Sequence, residues 1–183
     1  MANLQNARVL MLATDGFEES ELFEPRQALL DAGAQVTLAS IKTDPITGET
    51  GGEKGKSVTP DTTLDQIALD QFDALVLPGG VGNPDKLRME PKAVEIVRAF
   101  MDSGRLVAAI CHAPWLLAEA DVVAGRRLTS WPSIRTDLAN AGADVVDQEV
   151  VTDGNLITSR KPDDIPAFNR AVIAALEDVT APA

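Results

Sequence analysis

A doubly wound α/β fold, with one mostly parallel sheet between two layers of helices, is what this sequence predicts. Three features point there. Short runs such as 9–13 (VLMLA), 74–77 (ALVL) and 106–110 (LVAAI) are apolar at every position, which suits strands buried on both faces. Between them lie segments whose apolar residues recur three and four apart, the period of a helix with one buried face. Gly or Pro punctuates most junctions.

Taken in order, Val9 to Ala13 is the first strand, ended by Thr14-Asp15-Gly16. Phe17 to Glu21 is a loop that enters a helix near Leu22, with Pro25 in its first turn, where a missing N–H costs nothing. Phe23, Ala28, Leu29, Leu30 and Ala32 supply its buried face, and Gly33 closes it. Gln35 to Ile41 is a second strand. Residues 42–63, rich in Gly and Pro among charges, form a loop or small hairpin. Leu64 to Leu69 suits one or two helical turns. Ala74 to Leu77 is the third strand, and Pro78 to Asp85 is its C-terminal loop. Pro91 opens a helix with a stripe of Ala93, Val94, Val97, Phe100 and Met101, ended by Gly104. After the strand Leu106–Ile110, Arg127 to Trp131 is a further strand and Ile134 to Ala141 a short helix. Asp144 to Val151 and Leu156 to Ser159 flank the turn Asp153-Gly154. Pro162 precedes a last helix carrying Ile165, Phe168, Val172, Ile173 and Leu176. No linker interrupts the pattern, so one domain over 1–183, with a core of about 8–175, is expected.

The stretch Arg105 to Leu117 organises the rest. An apolar strand stops at Cys111-His112, and Ala113-Pro114 turns at once into an apolar helix. This is the pattern of a nucleophile elbow, which lifts a side chain off the sheet edge beside the positive end of a helix and favours a thiolate. The chain has one Cys and one His, and they are adjacent; chance would place them so about 1% of the time. In a doubly wound sheet, ligands bind outside the carboxyl ends of the strands. Glu18 to Glu21, Gly79 to Asp85, Cys111-His112 and Trp131 all follow strands and are expected on that one edge. The backbone N–H groups of Gly80 and His112 are candidate oxyanion donors, with Gly79-Gly80 permitting close approach.

The totals exclude several classes. A net charge of −12 argues against duplex nucleic acid or an anionic membrane as the main partner. A lone Cys makes no internal disulfide, which fits a reducing, cytoplasmic setting. Residues 1–8 carry no basic region before an apolar run, so no secretory leader is expected, and no apolar run approaches 18 residues. Gly79-Gly80-Val81-Gly82 lacks the Lys-Ser/Thr of a phosphate loop. One His and one Cys make a catalytic metal unexpected.

Four segments together resemble the PfpI branch of the ThiJ/PfpI superfamily. They are Ala109-Ile110-Cys111-His112-Ala113-Pro114, Leu77-Pro78-Gly79-Gly80, Phe17-Glu18-Glu19-Ser20-Glu21-Leu22, and Asp153-Gly154-Asn155 with Ser159-Arg160. The resemblance runs from about Arg8 to Ala175 and implies a flavodoxin-like fold. It implies Cys111 as nucleophile with His112 beside it, Glu21 as the nearby carboxyl, and Glu18 close to the pocket. It also implies an acid from a second subunit, at the position of Asp85, completing a Cys-His-acid triad, and hence a homodimer or larger homo-oligomer. Ala113 stands where many members have Gly, Trp131 where many have Tyr, and Asp85 where they have Glu.

An ionised Glu21 would oppose a thiolate, so Glu21 is expected to be protonated and to donate to the sulfur. His112 would move the proton, though adjacent residues usually point apart. The activity implied is a stress-response hydrolase of deglycase or glyoxalase III type, acting without a cofactor on small reactive aldehydes such as methylglyoxal or on early protein adducts. An intracellular cysteine peptidase, and a redox-sensing or chaperone-like protein whose thiol oxidises, remain open beside it.

Overall fold

The computed structural model describes residues 4–180; residues 1–3, part of the stretch expected to lack a leader, and 181–183, the end of the expected domain, lie outside the described residues. In chain order the elements are β1 (Arg8–Leu12), β2 (Phe17–Glu18), α1 (Glu19–Asp31), β3 (Gln35–Ser40), β4 (Ile46–Thr50), β5 (Glu53–Val58), β6 (Thr62–Thr63), β7 (Ala74–Leu77), α2 (Gly82–Leu87), α3 (Pro91–Asp102), β8 (Leu106–Ile110), α4 (Pro114–Glu119), β9 (Arg127–Leu128), α5 (Arg135–Asn140), β10 (Asp144–Val145), β11 (Val150–Asp153), β12 (Leu156–Ser159) and α6 (Ile165–Thr180). Single 3-10 turns occupy Leu64–Gln66 and Leu69–Gln71.

Seven strands form the central sheet in the order β11-β12-β8-β7-β1-β3-β6. All pairings are parallel except that of the edge strand β11. Side chains alternate across the pleat and feed two separate cores. Leu10, Leu12, Leu75, Leu77 and Val107 pack with α3, α4 and α5. Val9, Met11, Val76, Ala108 and Ile110 pack with α1 and α6. Burial on both faces explains why these strands read as unbroken apolar runs. The chain passes from β1 outward to β3 and then returns to β7 on the other side, so the switch point lies at β1/β7, next to β8.

The 42–63 region is a hairpin, β4 and β5, joined to β2 by a parallel pairing of Phe17–Glu18 with Gly48–Glu49. Gly48 lies flat on Phe17: a Cβ there would sit 2.6 Å from the ring. This close approach brings the hairpin over the carboxyl edge of the sheet.

Several expectations are corrected. Helix α1 starts at Glu19, not near Leu22, because the Glu18 carboxylate caps it by accepting from the Glu21 N–H at 2.9 Å. Pro25 therefore falls inside the helix, where it cannot donate to the Glu21 carbonyl, and Leu30 turns outward at 38% exposure. The loop after β7 is cut short by α2, so Asp85 stands on a helix. The 127–131 strand pairs over two residues only, in a separate ladder with β10, because Thr129 N–H bonds to Thr158 Oγ1 and Trp131 N–H to the Cys111 carbonyl. The 144–151 segment is likewise split between β10 and β11.

Candidate active site

Cys111 follows the last residue of β8 with φ +65°, a left-handed conformation that costs a non-glycine residue about 1–3 kcal/mol and is held only by its surroundings. Here the Cys111 N–H donates to the Ser159 carbonyl at 3.0 Å, and its own carbonyl accepts from Trp131 N–H at 2.8 Å. The strained turn aims the sulfur away from the strand, and Pro114 at the start of α4 forces the chain onward as a helix.

The sulfur is not the exposed thiolate that the elbow pattern suggests. Cys111 is 4% exposed, and burial pushes its thiol up. Helix α4 has only six residues, so its dipole is a weak counterweight. The N–H groups of Gly80 and His112 face the sulfur and pull in the opposite direction.

Glu21, on the first turn of α1, is fully buried beside this sulfur. Its Oε2 accepts from Gly79 N–H at 2.9 Å, and its Oε1 has no hydrogen-bond partner. Burial first, and then the Glu18 charge, push its carboxyl up to about 8, so it is protonated at neutral pH. Gly79 makes this proximity possible: a Cβ there would lie 2.5 Å from Glu21 Oε2 and 2.7 Å from Cys111 Cβ. Because Gly79 N–H is taken by Glu21, it is not free as an oxyanion donor. Glu18 accepts from Ser20 Oγ at 2.5 Å as well as from the α1 backbone, so its charge is fixed at the rim.

His112 does not point away. Its Nδ1 lies 3.2 Å from Cys111 Sγ, and its Nε2 lies 3.3 Å from Ser133 Oγ. The ring is flanked by Trp131, stacked at 5.7 Å, and Trp115 at 5.3 Å. Burial lowers the imidazole pKa, which favours the neutral ring as a base.

Cys111, His112, Glu21, Glu18, Gly80 and Trp131 converge on one cleft of about 290 Å³. Asp85 does not line it. Asp85 faces an open groove of about 790 Å³ formed with Arg88, Val94, Arg98 and Glu119. Several contributors escape sequence reasoning. Ser133 sits in a 3-10 turn with no motif around it. Asn83, fully buried, donates to the carbonyls of Pro78 at 2.9 Å and Gly79 at 3.1 Å and accepts from Thr14 N–H at 2.8 Å, locking the loop after β1 to the loop after β7. A polar residue three positions after the Gly79-Gly80 pair, in the loop at the carboxyl edge, was the available signal. Glu49, Gly51 and Gly52, at the hairpin tip, close the cleft from above. Among the described residues no His/Cys/Asp/Glu group has the arrangement of a metal site, and no helix is long and apolar enough to cross a membrane.

Known proteins share this fold and much of this sequence. Residues 7–175 match the model of the DJ-1/PfpI family. Protein/nucleic acid deglycase 2 of Escherichia coli is 46% identical over 172 residues, spanning 92% of this chain and 97% of that protein. General stress protein 18 of Bacillus subtilis is 44% identical over 172 residues, spanning 93% of this chain and 98% of its own. The crystal structure of Drosophila melanogaster DJ-1beta superposes with a TM-score of 0.85 at 35% identity, over 96% of this chain and 91% of that one. A flavodoxin-like sheet, a strained cysteine at its carboxyl edge and matches along nearly the full chain lead to one conclusion: the chain belongs to the DJ-1/PfpI family.

Proposed function

We propose that the protein is a cysteine-dependent stress-response enzyme that removes small reactive carbonyls of the methylglyoxal type, or their early adducts. The observation that carries this reading is the 3.2 Å approach of neutral His112 to a thiol that forms one wall of a 290 Å³ cleft.

The buried thiol needs a base, and His112 Nδ1 takes its proton. The sulfur bonds to the aldehyde carbon as the C=O π pair moves onto oxygen, and that oxygen takes the proton from His112. The product is a hemithioacetal, with no atom lost. With methylglyoxal, moving the C1 proton to C2 through an enediol converts it to a lactate thioester. Water then breaks the S–C bond and restores the thiol. The sum is methylglyoxal plus water giving lactic acid, which requires no outside oxidant. Glu21 Oε1, protonated and unpartnered, donates to the sulfur when it becomes a thiolate. Gly80 and His112 N–H groups add to that stabilisation. Asp85 acts from a second copy of the chain, orienting His112 at Nε2, the atom that Ser133 Oγ touches within one chain.

The cleft supports this reading over the peptidase one: at about 290 Å³ it is of small-molecule size, and the hairpin residues Glu49, Gly51 and Gly52 contribute to its lining. The test incubates the parent and Cys111→Ser with methylglyoxal, and separately with a peptide, under reducing conditions. Lactate from the parent alone is the expected result. Peptide cleavage without lactate would shift the assignment to a peptidase, and no turnover of either would leave a redox-responsive thiol.

A further inference from the structure

Resting on that carbonyl chemistry, we propose that the cleft sorts its substrates by charge: it admits neutral or cationic carbonyl compounds and turns away anionic ones such as α-oxo acids, with Glu49 of the hairpin as the residue that sets this preference. Three glutamates line the cleft, Glu18, Glu21 and Glu49, and no Lys or Arg does. The cations around it are engaged elsewhere. Lys42 pairs with Asp15 at 2.5 Å, Lys56 with Glu19 at 3.0 Å, and Arg160 with Asp147 and Asp164, both at 2.8 Å. Lys54 stands opposite Glu49 in the hairpin register but does not line the cleft. His112 is neutral and offers no charge.

A carboxylate entering this space loses water and finds no cation among the lining residues to replace it, while the Glu18 and Glu49 carboxylates oppose it. A neutral aldehyde escapes this penalty. A carbonyl adduct borne on a guanidinium or ammonium gains from it. The net charge of −12 extends the same preference to the approach. Glu18 is tied down as the α1 cap, whereas Glu49 is exposed on the hairpin and free to meet the ligand.

The test uses iodoacetamide and iodoacetate, which differ little except in charge, to alkylate Cys111 in the intact protein at low salt. A neutral thiol, 2-mercaptoethanol, sets the intrinsic rate ratio. The ratio of iodoacetate to iodoacetamide rates at Cys111 is expected to fall about tenfold or more below that of the free thiol. It should rise several-fold in Glu49→Gln, further in Glu49→Lys, and with added salt. A ratio equal to that of the free thiol, or one that Glu49→Lys leaves in place, overturns the proposal. The readout does not depend on turnover. Charge discrimination without methylglyoxal consumption would sink the enzymatic reading alone, and turnover without discrimination would sink only the charge filter.

Discussion

At the scale of single residues, the site turns on the proton of Glu21. Its carboxyl is raised to about 8 in the fold by burial and by the Glu18 charge. An acid raised in this way leaves its full stability in place below its unfolded pKa near 4.5 and withdraws it as pH climbs towards 8, because the unfolded chain ionises first. By pH 7 the loss is about 3 kcal/mol. Denaturant titrations of the parent should therefore show stability falling between pH 5 and pH 8, and Glu21→Gln should flatten that fall. The same pair of variants tests the hydrogen bond to the sulfur. Glu21→Leu, which has no donor, should slow alkylation of Cys111 by about tenfold or more, whereas Glu21→Gln keeps an N–H and stays near the parent. Equal rates in all three would remove Glu21 from the thiol chemistry. Cys111 and His112 were legible in the sequence because an apolar strand, an adjacent pair and Pro114 all specify one turn. The contact between their side chains was not legible, because it depends on φ +65° at Cys111, which only the anchoring bonds to Ser159 and Trp131 hold in place.

At the scale of elements, strands and helices were readable wherever burial was two-sided or strongly periodic. Ala74–Leu77 and Leu106–Ile110 have the same ends in sequence and structure. Boundaries moved where a local bond replaced a propensity. Glu18 is an unusual helix cap, so α1 began three residues early and drew Pro25 inside. Gly82 opened α2 where a loop was expected. The hairpin was hardest to place, because its position depends on the flat contact of Gly48 with Phe17 rather than on any pattern of its own. The element most sensitive to change is the turn after β7. Gly79→Ala would thrust a methyl group between Glu21 and Cys111, and also to within 2.8 Å of the Ile110 carbonyl, which cannot yield. Displacements near 1 Å at a reacting centre cost about a hundredfold in rate. A loss of that order in kcat/KM for methylglyoxal, with a cooperative melt retained, is the expected outcome; parental kinetics would show that the turn adjusts freely.

For the molecule as a whole, the prediction concerns a second copy of the chain. Asp85 lies in a groove bordered by Arg88 and Glu119, and nearby Met89 is 80% exposed. If Asp85 serves the neighbouring cleft, two inactive variants can repair each other. Asp85→Asn keeps its thiol and lacks the donated acid; Cys111→Ser keeps the acid and lacks the thiol. Refolded together in equal amounts, they should recover about a quarter of the parental activity, one working site in each mixed dimer, which make up half the population. No recovery above the two separate variants, or a monomer by light scattering in active protein, would confine catalysis to one chain. The doubly wound architecture and the edge that gathers the candidate site were evident from the sequence, since the loops after β1, β7 and β8 carry the residues that meet there. Which copy supplies which acid was not, because an isolated sequence carries no information on how its surfaces meet.

The two aromatic rings around His112 have a practical consequence. The chain contains two Trp and no Tyr, and both indoles, Trp115 and Trp131, flank that imidazole. With tryptophan excited selectively, the emission of the protein thus arises beside His112 and, through it, Cys111. The proposed ligand entry, protonation of the imidazole and adduct formation on the neighbouring sulfur would each be readable by tryptophan fluorescence in real time, with no dye attached.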